Sequence, residues 1–112
     1  MPSPEMPESH FGLPLATIEK IQGVLANCPR VESVLIYGSR AKGNYRNGSD
    51  IDLTLIGELL TEADIVSLET RLDDLLLPYK IDLSRFATIK NINLIEHIRR
   101  VGMLFYKQTQ KS

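Results

Sequence analysis

The sequence predicts an α/β domain with a small mixed β-sheet of three to four strands flanked by helices. Two observations carry this expectation. Segments with helical apolar spacing alternate with short β-branched runs along the chain, the order that builds sheet-and-helix layers. The chain has 112 residues, of which 43% are hydrophobic and 24% charged; that suffices for one core but not two.

Residues 1–12 contain prolines at positions 2, 4 and 7 and little to bury, so a flexible lead-in is expected there, followed by one domain over residues 13–108. Leu15, Ile18, Ile21, Val24 and Leu25 recur at helical spacing and stop at Asn27, Cys28 and Pro29, which defines a first helix. Residues 31–37 (Val-Glu-Ser-Val-Leu-Ile-Tyr) are short and mostly apolar, as in a strand buried on both faces. Residues 38–49 hold three glycines and two asparagines among basic residues, a loop with room for one helical turn near residues 39–42. Residues 50–56 alternate, with Ile51, Leu53 and Leu55 opposite Asp50, Asp52 and Thr54, giving a second strand. Thr61 and Asp64 read as a capping box. Behind it, Ile65, Leu68, Leu72, Leu75 and Leu76 form a helical stripe as far as Pro78. Residues 79–84 alternate again as a third strand. Ile92, Ile95, Ile98 and Val101 mark a third helix, and residues 103–106 either extend it or form a final strand.

Composition excludes several function classes. The formal net charge is −1 with both signs interspersed, unlike the basic surface that binds long nucleic acid. No apolar run approaches the roughly 18 residues of a membrane helix, and the first residues lack the basic-then-apolar order of a signal peptide. Cys28 is the single cysteine, so no internal disulfide forms; a cytoplasmic location is the expectation.

The chemistry concentrates in two places. Period-two geometry sets Asp50 and Asp52 side by side, about 6–7 Å apart along the strand. Asp82 falls on the polar face of the third strand and joins them if those strands are neighbours. Carboxylates so close repel one another unless a cation neutralises them. Mg²⁺, a hard oxygen-seeking ion that leaves room for phosphate oxygens, suits them best. Upstream, Gly38-Ser39 follows a buried strand and opens Arg40-Ala41-Lys42-Gly43. Glycine permits close backbone approach, and backbone N–H groups, the Ser39 hydroxyl, Arg40 and Lys42 are candidate donors to phosphate oxygens. A polyphosphate cradle beside a metal site is what phosphoryl or nucleotidyl transfer requires.

Gly38-Ser39, ten residues, then Asp50-Ile51-Asp52 resembles the signature of the DNA polymerase β-like nucleotidyltransferases. The local text Gly-Ser-Arg-Ala-Lys-Gly and Ser-Asp-Ile-Asp-Leu is most similar to the minimal nucleotidyltransferases, which are paired with helical HEPN partners in toxin–antitoxin systems. The third aspartate, in Lys80-Ile81-Asp82-Leu83, also matches. The resemblance implies the nucleotidyltransferase fold, two Mg²⁺ ions held by Asp50, Asp52 and Asp82 on an ATP substrate, and help from Asp82 in deprotonating the acceptor. It further implies AMP transfer to a tyrosine of a HEPN toxin, which makes the chain the antitoxin; the nucleotide itself is expected at the donors already named, Gly38, Ser39, Arg40 and Lys42. Two alternatives stay open: a nucleotide-binding antitoxin that neutralises its partner by contact alone, and transfer to a small molecule whose site comes from another subunit.

Other polar residues read as bland. Tyr45, Arg46 and Asn47 suit a solvated loop tip, His10 lies in the lead-in, and His97 beside Arg99 and Arg100 reads as an exposed helix face. Cys28, before Pro29, reads as packing.

Overall fold

Pro14, with its fixed φ, leads directly into helix α1 (Leu15–Ala26), whose Thr17, Ile18, Ile21 and Leu25 are buried as the i, i+3, i+4 spacing requires. The computed structural model describes residues 9–46 and 48–108; residues 1–8 of the expected lead-in, and Asn47, lie outside the described residues. Residues 9–12 do not continue a lead-in. They form the start of a hairpin of β1 (Ser9–His10) and β2 (Leu13–Pro14), because Phe11 and the fully buried Leu13 pack on the core.

After α1 come β3 (Ser33–Tyr37), the short helix α2 (Ser39–Lys42), β4 (Ile51–Ile56), α3 (Glu62–Asp73), β5 (Ile81–Arg85), a 3₁₀ turn (Phe86–Thr88), α4 (Ile92–Val101) and β6 (Met103–Lys107). The sheet order is β5-β4-β3-β6. β3 runs antiparallel to both neighbours, whereas β4 and β5 are parallel and joined through α3, a βαβ unit inside a mixed sheet. Residues 103–107 therefore form a strand and not a helical extension.

The core lies between α1, α3 and one sheet face, where Val34, Ile36, Ile51, Leu53 and Leu55 meet Ile21, Leu25, Leu68 and Leu72. On the other face α4 packs against β3. β3 consequently alternates buried and half-buried residues along its length, where burial on both faces was expected. Helix α3 stops at Asp73, short of the expected stripe. Leu75 still packs against the core, but Leu76 takes φ 55° and is 88% exposed, because the chain turns there toward Pro78 and β5.

The Thr61 side chain accepts a hydrogen bond from Asp64 N–H (3.1 Å) while the Asp64 carboxylate accepts one from Thr61 N–H (3.0 Å). Thr61→Ala is expected to cost about 1 kcal/mol, read as a lower urea midpoint at unchanged slope. An unchanged midpoint would mean that the Asp64 half of the box holds the helix start by itself.

Candidate active site

Register brings the acidic residues together. Tyr37 on β3 pairs with Asp52 on β4, and Asp52 pairs with Asp82 on β5. Directly paired residues share a face, with neighbouring strands about 4.8 Å apart, so Tyr37, Asp52 and Asp82 form a row across three strands on the face that carries α4. Asp50 lies one residue before β4 rather than within it. Asp50 and Asp82 are exposed and Asp52 is partly buried.

Gly38 brings the loop backbone against this row. It ends β3 with φ 79° and ψ −156°, a conformation open to little besides glycine. A Cβ at this position would run into the Asp52 carboxylate. The chain then turns through α2, where Lys42 N–H and Gly43 N–H bond back to the carbonyls of Gly38 (3.1 Å) and Ser39 (2.9 Å). As at any helix start, the first N–H groups have no partner within the helix. Ser39 is half-buried at this turn and Lys42 is exposed beyond it.

Burial raises the Asp52 carboxyl above its ordinary range, the charges of Asp82 and Asp50 raise it further, and the field of His97 partly offsets them. Burial likewise pushes the Tyr37 hydroxyl up; contact with Ser84 offsets part of this, and the charges of Asp52 and Asp82 add to it. Among the described residues none of the three carboxylates is ion-paired, and no group of three His, Cys, Asp or Glu side chains is arranged to hold a metal ion. Three unpaired carboxylates lie along this rim, one of them held from ionising by burial first and by the other two charges second, and a hard divalent cation is the kind of ion that would neutralise them. Concavities of about 310 Å³ elsewhere, between α3 and β5 and beside α1, contain none of these residues. Chemistry and register mark this site, not depth.

Two residues of this face escaped the sequence reading. His97 is not an ordinary exposed position: it is partly buried, and its ring meets Tyr37 edge-on at 6.2 Å and 80°. Tyr37 was legible, since strand alternation puts it opposite Ile36 and hence on the polar face. His97 was not, because nothing local says against which sheet face α4 lies.

Arg40 requires a correction. It was expected among the phosphate donors, yet it is 3% exposed and its guanidinium donates to the carbonyls of Ser49 and Phe11. All three of its guanidinium nitrogens already donate to backbone carbonyls, a geometry that does not support the expected phosphate role of Arg40. Gly38, Ser39 and Lys42 stand at the loop as candidates.

Residues 19–111 match the family model described as polymerase beta, nucleotidyltransferase. The chain belongs to that family. Membership makes this polymerase β-type nucleotidyltransferase an enzyme by class, and its mixed sheet is the nucleotidyltransferase fold. Solved structures agree in fold. A toxin–antitoxin structure with AMP-PNP superposes with a TM-score of 0.67 at 21% identity, covering 83% of this chain and 75% of that one. A tri-AMPylated HEPN toxin in complex with MNT antitoxin from Shewanella oneidensis gives 0.62 at 18% identity, with 86% and 74% covered. A protein assigned as a minimal nucleotidyltransferase gives 0.61 at 25% identity, with 88% and 98% covered. No curated protein matches the chain. No helix among the described residues is long and apolar enough to cross a membrane.

Proposed function

We propose that this single domain, spanning residues 13–108, is a cytoplasmic Mg²⁺-dependent nucleotidyltransferase that moves AMP from ATP onto a hydroxyl of a HEPN-class toxin, and so acts as its antitoxin. The observation that carries the reading is Gly38 pressed against Asp52, itself in register with Asp82. That contact supports a reading in which a turn for phosphates and carboxylates for a metal share one rim. The similar solved structures named above, which pair an MNT antitoxin with an AMPylated HEPN toxin or contain AMP-PNP, supply the choice of nucleotide and partner.

Asp50, Asp52 and Asp82 would hold Mg²⁺. When bound, the ion neutralises the triphosphate and polarises its phosphorus–oxygen bonds. The turn at Gly38 and Ser39 offers backbone N–H groups and a hydroxyl to the phosphates, with Lys42 as an exposed cation at the edge. Asp82, exposed at the rim, takes the proton as the acceptor oxygen, a tyrosine hydroxyl in this reading, bonds to the α-phosphorus; the bond to the bridging oxygen breaks and pyrophosphate leaves. The acceptor has to arrive at the open face from a partner.

The test incubates this chain with a HEPN-class toxin and α-labelled ATP, with Mg²⁺ or EDTA. Label on a toxin tyrosine only with Mg²⁺, and lost with Asp82→Asn, is expected. Toxin neutralised in cells by a chain that transfers no label would replace the enzymatic account with inhibition by contact.

A further inference from the structure

We propose that Arg40 is a positioning residue, which fixes Asp50 through the Ser49 carbonyl and ties the active-site loop to the β1–β2 hairpin. A guanidinium buried to 3% exposure is costly unless its donors are satisfied. Here Nε and Nη2 both donate to the Ser49 carbonyl, at 3.1 and 2.9 Å, and Nη1 donates to the Phe11 carbonyl at 2.9 Å. Its guanidinium carbon also lies over two aromatic rings, 5.4 Å from the Tyr45 centroid and 5.2 Å from that of Tyr79. Among the described residues it has no carboxylate partner. Backbone dipoles and ring faces therefore compensate the charge, and they come from three stretches of chain.

Those stretches matter. Ser49 immediately precedes Asp50, Tyr79 leads into β5 three residues before Asp82, and Tyr45 belongs to the loop after α2. Phe11 lies on the hairpin, ahead of the residues 19–111 that match the family. The hairpin is pressed onto the same assembly, since a Cβ on Gly12 (φ 73°) would run into the Tyr45 ring. One planar side chain thus joins the loop that delivers Asp50, the approach to Asp82 and a segment outside the family region. Lysine has the charge but not the fork, and cannot donate to both carbonyls as the guanidinium does.

The consequence for ligand binding rests on the proposed metal–nucleotide site; the mechanical part does not. Hydrogen exchange is measured on the full chain for wild type, Arg40→Lys and Tyr45→Leu. Exchange over residues 9–14 and 43–50 is expected to accelerate by about tenfold or more in Arg40→Lys, and by less in Tyr45→Leu, with α1, α3 and the central strands unchanged. Unchanged exchange in these segments, or acceleration spread over the whole chain, would overturn the proposal. Tyr45→Leu keeps the test decisive should Arg40→Lys fail to fold, because it leaves the guanidinium bonds in place. Calorimetry with ATP then separates roles. A positioning Arg40 predicts that Arg40→Lys loses about tenfold of the Mg²⁺-dependent affinity but none of the affinity measured in EDTA; equal losses in both would make Arg40 a phosphate donor after all. Wild-type chain that binds no Mg·ATP would refute the proposed site, and the exchange result would still decide Arg40.

Discussion

Asp52→Asn is expected to lower nucleotide transfer by about a thousandfold or more while making the nucleotide-free chain more stable at neutral pH. The two effects share a cause. Asp52 is the partly buried member of the row, raised above the ordinary carboxylate range by burial, then by Asp82 and Asp50. Above that raised folded pKa the carboxylate is charged at a cost that the unfolded chain does not bear. The destabilisation is therefore fully present at neutral pH, fades as pH falls through the carboxylate range, and is gone below the unfolded pKa. Asparagine keeps the shape and removes the charge. Solvent around a half-open side chain screens the effect, so the gain is a small rise in Tm at neutral pH. Transfer assays and melting curves at pH 7 and near pH 3.5 check both halves: the stability advantage should shrink at the lower pH. A variant that transfers normally would remove Asp52 from the metal site. A variant that melts lower at pH 7 would mean that the carboxylate has a favourable partner in the free protein.

Much of this fold is visible in the sequence because its periodicities are clean. The alternation of residues 50–56 separates Ile51, Leu53 and Leu55 from Asp52 and Thr54, and the structure buries the first three in the main core. It also buries Thr54 completely, which alternation cannot foresee, since nothing local says what packs over the polar face. The acidic row was legible conditionally: each strand shows its own aspartates, but only the β4–β5 register brings Asp52 beside Asp82. Arg40 shows where local reading fails. An arginine after a glycine-serine turn looks like a phosphate ligand by type, while its direction is set by Phe11, Tyr45, Ser49 and Tyr79, spread over nearly 70 residues of chain. The hairpin was missed for a related reason. Three prolines dominate the first residues, and the signal against a lead-in, Phe11 with Leu13, is too short to have a period.

Gly38→Ala should damage both the fold and the reaction, and the two losses can be separated. Alanine at φ 79° and ψ −156° is strained by about 1–3 kcal/mol wherever it sits. Here its Cβ also runs into the Asp52 carboxylate, so the turn, the carboxylate or both must shift. Transfer is expected to fall about a hundredfold, because displacement of about 1 Å between phosphates and metal ligands is enough for that. A double-mutant cycle isolates the collision. Asp52→Ala removes the carboxylate that the new methyl group strikes but leaves the backbone strain, so Gly38→Ala should cost measurably less urea stability in the Asp52→Ala background than in wild type. Equal costs in the two backgrounds would mean that Gly38 serves only its own backbone conformation, and the close approach of turn to carboxylate that underlies the proposed reaction would have to be abandoned. A smaller cost in the Asp52→Ala background would show that the loop backbone and the carboxylate occupy adjoining space in solution, the arrangement by which a phosphate held at the turn meets a metal held by Asp52.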